Sequence, residues 1–581
     1  MKKQLLFLPA AIITGIVLLF AAPFATAQLT QVIIHGGTYD LVHPTVLTGT
    51  ANTPAIDTSS ITSSNMVAGV AADGATGIFD LGTIKISGTT TKSDGELTGF
   101  VFRGTGPFSG SIDGSDITVT ATDTAGYGTY FRGTGGNNQS GGLWADISGS
   151  VGFGTLKVTA SGTGGTDAGA AGGFVAGTLI NGANVTLAGV DITAGYWGLG
   201  VKLDAVEANS TINAGIVEIS AGGNGTGILI GDLVNDVPAH SAGGNAATMG
   251  LTAGTIKASS INVDSGWNAS GILISQKMTG GEIEVTGGIT AISSGNRAVG
   301  IGMFDGVAGG NVTVNGDIVV DGVNEAAGFA ALNSGLAAGS TVALKKITVT
   351  EQNVEAAGVR FTGNVAGTLT TGDISVASEN GRAYGVHVAQ GGIANNANAT
   401  TFGKISVESG SQAGLVGLEP TAAGIWTNGD STFTLTGNID VKGVDYNAYG
   451  IIVEGDHDAN ITIDAGKTVN IAASGAMYNV GIEVGRNLNL DIPNGATLET
   501  NAVWVGSDMN VSGGGTFNST DWVDVSSGNL NVSGSNTIAN LYGQTFVDTL
   551  NVSNGAKVSS VRMMGNQMVG SGSLYVITTT I

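Results

Sequence analysis

The sequence of 581 residues contains no cysteine, only 8 prolines and few charged residues, which make up 11% of the chain. The lack of cysteine excludes a small disulfide-stapled secreted scaffold, a thiol nucleophile and a thiolate zinc site. So little charge beside 98 glycines argues against a coiled coil, and scattered glycine with little proline excludes collagen. Stability must therefore come from stacked apolar surfaces and backbone hydrogen bonds.

Basic residues are also scarce. The chain has 21 lysines and arginines against 44 aspartates and glutamates, which gives a net charge of −23. Such a surface repels a phosphate backbone and offers no basic stripe, so we expect no nucleic-acid partner. No glycine-rich cluster is accompanied by helical periodicity, which argues against a nucleotide-binding loop.

The N-terminal segment 1–27 has the features of a secretory signal peptide. Lys2 and Lys3 supply the positive segment, an apolar run extends from Leu5 to Phe20, and Ala25-Thr26-Ala27 matches the small-x-small cleavage pattern. We therefore predict cleavage before Gln28 and export, with an N-terminal membrane anchor as the alternative. No later run reaches the roughly 18 apolar residues that a transmembrane helix needs.

The remaining sequence repeats with a regular period. A glycine followed by an aliphatic or aromatic residue opens a short alternating run, and most intervals between these glycines are of similar length. The glycines are Gly200, Gly227, Gly271, Gly300, Gly328, Gly358, Gly385, Gly424, Gly450 and Gly481. Runs of period two bounded by Gly, Asn, Asp and Ser predict strands. The two longer intervals, from Gly227 to Gly271 and from Gly385 to Gly424, predict loop insertions.

A tighter repeat fills the C-terminal part of the chain. An aliphatic-Asn-aliphatic triplet recurs at a nearly constant spacing, with its asparagines at Asn489, Asn510, Asn531 and Asn551. Two further apolar columns follow each triplet, so that three strand-sized segments fill each repeat. Repeats stacked roughly 4.8 Å apart would join the four amides in an external ladder. An unconnected polar strand face is the alternative.

These periods predict an all-β protein, a right-handed parallel β-helix (β-solenoid) with three short strands per coil. We expect a signal peptide over 1–27, an N-terminal cap or β segment over 28–80, longer coils with loop insertions over 81–485, and shorter coils over 486–581. The longer coils would contain about 28 residues and the shorter ones about 20. Val, Ile and Leu would fill the interior, while Gly and Asn would occupy corners that need positive φ.

The signal peptide, the low charge, the Gly/Asn/Ser/Thr-rich β coils and the Asn-Val-Ser-Gly repeats at 510–513 and 531–534 resemble the passenger regions of bacterial autotransporters and related large exoproteins. The resemblance covers most of the mature chain and implies a right-handed parallel β-helix that serves adhesion, aggregation or host contact. The sequence departs from that family at its C-terminus, where no membrane β-barrel pattern is recognisable before Ile581. We therefore expect attachment to an outer membrane only through a separate anchor or transporter.

Two groups of residues are candidates for binding. Glu454, Asp456 and Asp458 cluster in a Glu-Gly-Asp-His-Asp segment and could supply the oxygen ligands that Ca²⁺ prefers, with a solvated acidic turn as the alternative. Trp504 and Trp522 lie on the outer side of an alternating pattern, in comparable places of successive coils, so they could stack against sugar rings. No other cofactor is expected.

We expect no enzymatic activity. Parallel β-helices also include pectate lyases and polygalacturonases, which carry Asp clusters with Arg-x-Lys or Gly-His-Gly segments, and no arginine or histidine of this sequence lies in such a context. A net negative surface also repels acidic polysaccharides. A carbohydrate-active enzyme is therefore the least favoured function.

The leading interpretation is an exported structural or adhesive protein, secreted or at the surface of a bacterium, with the periplasm as the alternative location. Its partners would be other cells, surface glycans or copies of itself. The alternative function is a self-assembling extracellular filament or sheath subunit, because an open terminal coil offers free backbone groups for end-to-end addition. Filaments that form with rising concentration would favour this alternative.

Overall fold

A computed structural model describes residues 47–53, 56–63, 67–90, 96–104, 106–133, 144–162, 169–231, 250–251, 253–394, 400–410, 420–444 and 447–579. The expected signal peptide lies outside these residues. All secondary-structure elements named in the described part are β-strands. They pair in parallel with the strands one coil before and one coil after them. The predicted parallel β-helix is thus confirmed.

The strands form three columns, here named sheets A, B and C. Sheet A contains β5 (Glu96–Gly104), β8 (Ala125–Gly133), β10 (Ala171–Val175), β12 (Gly198–Leu203), β16 (Gly225–Ile230), β20 (Ala269–Ile274), β23 (Arg297–Met303), β25 (Glu325–Ala331), β27 (Glu355–Phe361), β29 (Arg382–Val388), β32 (Ala422–Thr427), β35 (Asn447–Val453), β38 (Tyr478–Val484) and β41 (Val503–Val505). Sheet B contains β1 (Leu47–Thr53), β6 (Ser111–Gly114), β14 (Thr211–Asn213), β18 (Thr255–Ala258), β21 (Met278–Val285), β30 (Thr401–Phe402), β33 (Ser431–Leu435), β36 (Ala459–Ile463), β39 (Leu488–Asp491) and β42 (Met509–Ser512). Sheet C contains β2 (Ile56–Ser63), β4 (Ile84–Thr90), β7 (Ile117–Thr122), β15 (Ile216–Ala221), β19 (Ser260–Ser265), β22 (Ile289–Ser293), β31 (Ile405–Ser409), β34 (Ile439–Lys442), β37 (Thr468–Ser474), β40 (Thr497–Thr500) and β43 (Thr516–Ser519).

Ten longer strands turn a corner and belong to more than one sheet. They are β3 (Val67–Leu81), β9 (Ser150–Ala160), β11 (Asn184–Ala194), β24 (Val307–Gly322), β26 (Thr341–Glu351), β28 (Thr368–Ser378), β44 (Val523–Ser533), β45 (Ile538–Ser553), β46 (Lys557–Gly570) and β47 (Ser573–Thr579). A separate pair is formed by β13 (Ala205–Val206) and β17 (Gly250–Leu251). Each full coil therefore contributes one segment to each of three sheets, as the sequence predicted.

Alternating side chains fill the interior of the coil. In β7, Ile117, Val119 and Ala121 are buried while the residues between them are not. The buried side chains of successive coils join into one apolar cluster that extends from Val70 to Met563. Each fully buried aliphatic side chain contributes about 1.5–3 kcal/mol. A single coil would leave these side chains exposed on both of its open faces, so their burial requires the neighbouring coils.

The repeating glycines of sheet A are needed for close approach between coils. A Cβ on Gly227 would lie 2.6 Å from the carbonyl oxygen of Gly271 and 2.5 Å from Cγ2 of Ile261. The corresponding glycines of the other long coils meet the same kinds of partner, a glycine carbonyl of the next coil and an aliphatic side chain of sheet C, which is β-branched except for Leu156 beside Gly128. None of these glycines has positive φ. The expected positive φ occurs instead at turn residues such as Gly182 and Asn209, at 82° and 62°.

The glycine column is longer than the sequence pattern indicated. It begins at Gly69 and continues through Gly99, Gly128 and Gly173 before the first glycine of the predicted series. Parallel pairing starts earlier still, because β1 pairs with β3 and β2 pairs with β4. The described part of the segment 28–80 therefore already belongs to the β-solenoid, with strands that pair from one coil to the next.

The change of period near residue 485 has a structural cause. In sheet A, β38 spans Tyr478–Val484, whereas its successor β41 spans only Val503–Val505. The last residue of β40, Thr500, and the turn residue Asn501 take the space at the end of the glycine column, because a Cβ on Gly481 would meet Thr500 Oγ1 and Asn501 Oδ1. Shorter sheet A strands account for the shorter coils that follow.

Replacing Gly227 with alanine should destabilise the protein by about 1–3 kcal/mol, the usual cost of overpacking a filled interior. The added methyl group would overlap a backbone carbonyl that cannot rotate away. The matched control is Gly152→Ala in β9, where the new Cβ would have no neighbour closer than 3.6 Å. Urea midpoints of the two variants and the parent would check this, and equal midpoints for both variants would contradict it.

Candidate functional site

The outer side of sheet A differs from the outer sides of sheets B and C. Strands of sheet A such as β29, β32 and β35 are buried at almost every position, on both sides of the sheet. A second apolar cluster, separate from the interior, lies on this outer side. It contains Tyr384, Ala423, Trp426, Tyr449, Ile452, Val480 and Ala502, with Trp522 packed against it. We name the outer side of sheet A around this cluster, from β27 to β41 and including Trp522, the outer aromatic strip.

The strip arises because parallel coils place equivalent residues in line. Strand pairing aligns Arg360, His387, Trp426, Ile452, Glu483 and Trp504 in six successive coils. In β27 and β29 the neighbours of these residues, Val359 and Val388 among them, belong to the interior cluster. Alternation along each strand therefore directs the aligned residues outward, where they form one row of the strip along the coil axis.

Three rings are in contact near the middle of the strip. The imidazole of His387 stacks on the indole of Trp426, with centroids 4.2 Å apart and planes 6° apart. Tyr384 lies 4.9 Å from the imidazole and 5.1 Å from the indole, and its hydroxyl donates to the carbonyl of Pro420 at 3.0 Å. Burial, with Arg360 and Arg382 nearby, lowers the pKa of His387 to about 3. The imidazole is therefore neutral at physiological pH.

An ion pair adjoins these rings. Arg360 Nη1 lies 2.8 Å from Glu355 Oε1. Burial raises the pKa of Glu355 although Arg360 opposes the shift. Arg297 and Arg382 occupy the same sheet, so three of the seven arginines of the sequence lie on sheet A within four coils. Carboxylates accompany them, since Arg297 lies 2.8 Å from Glu325 as Arg360 does from Glu355.

The carboxyl group of Glu483, farther along this row of the strip, has an unusual pKa. Glu483 aligns with Ile452 on one side and Trp504 on the other. Burial, and the negative charge of Glu454, raise its pKa to about 7. Glu483 also contributes to the raised pKa of Tyr449, after burial. The strip thus contains a carboxyl group that titrates near neutral pH.

The two tryptophans expected to form a stacking platform do not occupy equivalent positions. Trp504 pairs with Asp524, whereas Trp522 precedes Val523, the partner of Val503. The expected equivalence was wrong because Trp522 lies in the turn before β44, two positions before Asp524, the residue that pairs with Trp504. Both side chains are half-buried and outward, and Trp522 lies 6.5 Å from the ring of Tyr478. They belong to one strip but do not stack on each other.

The acidic segment does not form the suggested Ca²⁺ site. Asp458 accepts two hydrogen bonds from Arg486, at 2.7 Å and 2.6 Å, and one from the side chain of Asn487 at 2.9 Å. These contacts hold the pKa of Asp458 below its usual range. Glu454 and Asp456 do not join it, since no group of three acidic, histidine or cysteine residues able to hold a metal occurs among the described residues. The cation that Asp458 binds is an arginine of the next coil.

The asparagines of the short coils form a continuous amide ladder. Each Nδ2 donates to the Oδ1 of the preceding asparagine, over 2.8 Å from Asn489 to Asn460, 2.7 Å from Asn510 to Asn489, 2.8 Å from Asn531 to Asn510 and 2.7 Å from Asn551 to Asn531. A second ladder joins Asn224, Asn268, Asn296, Asn324 and Asn353 at the corner before sheet A. Sequence reasoning missed the second ladder, although the spacing of its last four asparagines is nearly constant and could have revealed it.

Comparison with known proteins finds no matching protein family, and neither curated proteins nor solved structures provide a significant match. Within the described ranges, no helix has the length and apolar character needed to cross a membrane.

Replacing Asn510 with alanine should lower the unfolding free energy by about 1–2 kcal/mol, because Asn510 donates one ladder hydrogen bond and accepts another. A net protein hydrogen bond contributes about 0.5–1.5 kcal/mol. The control is Asn470→Ala, at an exposed position of β37. Denaturant unfolding of both variants would measure the difference, and an Asn510 variant as stable as the Asn470 variant would refute an energetic role for the ladder.

Replacing Glu483 with glutamine should remove a pH dependence of stability. The folded-state pKa of about 7 lies above the ordinary value of 4.5, so between these values the folded chain binds more protons than the unfolded chain. The unfolding free energy therefore falls as pH rises through this window, and the loss is complete above pH 7. Because Glu483 is half-buried, we expect only about 1–2 kcal/mol.

Urea midpoints of the parent and the Glu483→Gln variant at pH 5 and pH 8 would measure this effect. The parent should lose stability relative to the variant at pH 8. The control is Glu218→Gln, at an exposed position of sheet C. If the parent and the Glu483 variant respond equally to pH, the carboxyl group has an ordinary pKa.

Proposed function

We propose that this chain is an exported, non-enzymatic β-solenoid with a structural and adhesive role, which binds surface glycans or other cells through the outer aromatic strip. The observation that carries the proposal is the difference between the three sheets. Aromatic side chains concentrate on the outer side of sheet A, where a buried cluster around Tyr384 and Tyr449 supports rings that reach the surface, Tyr478 at 39% exposure and the half-buried Trp504 and Trp522. Aromatic groups with an apolar body and a polar edge suit contact with partners that are partly wet.

The shape of the protein supports multivalent contact. Equivalent positions recur at roughly 4.8 Å along the coil axis, so a ligand with repeating units could touch several coils at once. Weak contacts that act together give an avidity far above that of any one contact. A chain that presents its contact groups in a row needs no enclosed cleft.

The proposed location is the exterior or surface of a bacterium. It is supported by the signal-peptide pattern of residues 1–27 and by the low charge, β coils and Asn-Val-Ser-Gly repeats shared with autotransporter passengers. A parallel β-helix is the fold that this resemblance implies. The absence of an enzymatic role is supported by the sequence, which has no Arg-x-Lys or Gly-His-Gly segment.

Replacing Trp504 and Trp522 together with alanine should reduce retention on immobilised bacterial or host-cell glycans by at least about tenfold, because each ring supplies stacking of about 1 kcal/mol. The control is Trp267→Ala, a tryptophan 52% exposed at the corner before sheet A. Affinity chromatography would measure retention, and thermal unfolding would verify that the double variant is folded. Unchanged retention of a folded double variant would count against the strip as the adhesive surface.

A further inference from the structure

The outer side of sheet B carries an array of threonines between β24 and β36. Strand alternation directs two residues of each coil outward, which gives two parallel rows. The first row contains Asn311, Thr341, Thr368, Thr432 and Asn460, and the second contains Thr313, Ala343, Thr370, Thr401, Thr434 and Thr462. The first-row position in the coil of β30 lies outside the described residues. We name these two rows the threonine face.

The threonine face is accessible and has clear limits. None of its side chains is buried, and parallel pairing aligns the second row from Thr313 to Thr462. Charged residues occupy the aligned positions just beyond both ends, Glu284 beside Thr313 and Asp491 beside Thr462. Between these ends, no described outward position of sheet B is charged. The face is therefore a bounded neutral surface on a chain with a net charge of −23.

Sheet C shows that this neutrality is not a general property of the coils. The outward residues of sheet C in the same part of the solenoid include Asp321, Glu408 and Asp440. Glu408 accepts a hydrogen bond from Lys442 of the next coil at 2.6 Å. The low overall charge of the chain therefore does not by itself explain the threonine face.

The side chains of the face form a two-dimensional lattice. Equivalent positions repeat at roughly 4.8 Å along the coil axis, and the two outward residues of one strand are about 6.6 Å apart, twice the rise of a parallel strand. Threonine has few χ1 rotamers because it is β-branched, and neighbouring coils hold each strand on both edges. Both spacings are close to the repeats of water molecules on a prism face of hexagonal ice.

The chemistry of threonine suits ordered water. Its hydroxyl group can donate one hydrogen bond and accept two, and its methyl group restricts the orientation of water in the first shell. A charged side chain would impose its own hydration shell, and the described positions of the face carry none. They also carry no aromatic ring that could stack on a sugar. The face therefore suits a lattice of water molecules better than a glycan.

We propose that the threonine face binds ice, by holding a layer of water molecules that matches the lattice at a crystal surface. This site goes beyond the proposed glycan adhesion and lies on a different sheet from the outer aromatic strip. Each contact with the lattice is weak, but many contacts along a rigid row act together. An exported chain with such a face would attach to ice and limit the growth of its crystals.

The test is partition of the full chain into slowly growing ice, with thermal hysteresis measured on the same samples. The parent should be enriched in the ice and should lower the freezing temperature below the melting temperature. Thr370→Lys should lose most of both effects, because it places a strongly hydrated ammonium group within the second row. The matched control is Ser375→Lys, at an exposed position of the same strand, β28, on sheet C. It should keep both effects, and thermal unfolding would verify that the two variants are folded.

The outcomes decide between ice and other occupants of the face. A parent chain that ice excludes and that shows no hysteresis would overturn the proposal. A folded Thr370 variant as active as the Ser375 variant would also overturn it, because ice would then bind elsewhere. If ice activity is absent and Thr370→Lys instead dissociates a dimer in sedimentation velocity, or releases the chain from crystalline cellulose, a second copy or a polysaccharide is the occupant and ice binding is refuted. Retention on immobilised glycans tests the proposed adhesive function separately, since Trp504 and Trp522 lie outside the threonine face.

Discussion

The structure depends on the close approach of coils along the glycine column of sheet A. From Gly69 to Gly450, each glycine lies against the carbonyl oxygen of the next glycine and against an aliphatic side chain of sheet C, an Ile or Val everywhere except beside Gly128, where it is Leu156. This contact fixes the distance between sheets A and C, and it is repeated in nearly every long coil. Because a methyl group anywhere in the column would separate two coils, the requirement for glycine is stricter than that for any apolar residue of the core.

The glycines set the distance between sheets A and C inside the coil. The residue types on the outer side of sheet A are not restricted by this contact. Residues that point inward are small, aliphatic or, as at Phe329 and Phe361, phenylalanine. The outward positions differ more in chemistry from coil to coil, as Arg360, His387, Trp426 and Glu483 show. Parallel pairing then converts this variation into neighbours along the axis. Burial of the outward side chains among themselves explains the low pKa of His387 and the high pKa of Glu483.

The fold could be predicted from the sequence because the repeat period alone determines which residues stack. The glycines from Gly200 to Gly481 and the asparagine triplets recur at regular intervals, and such intervals place equivalent residues in contact. The strip could not be predicted in the same way. A loop insertion separates His387 from Trp426, so their stacking requires knowing that the insertion leaves the strand register intact. The equivalence of Trp504 and Trp522 failed for the opposite reason, since one short turn moved them out of line.

The partners of charged residues could not be predicted from the sequence, because they come from other coils. Asp458 looked like a metal ligand beside Glu454 and Asp456 in the sequence, yet Arg486, one coil later, is the residue that binds it. In a solenoid, a residue one coil away can be nearer than a residue a few positions along the same loop. Polar contacts of this chain therefore run along columns across coils, as the amide ladder from Asn460 to Asn551 does, and not within clusters along the sequence.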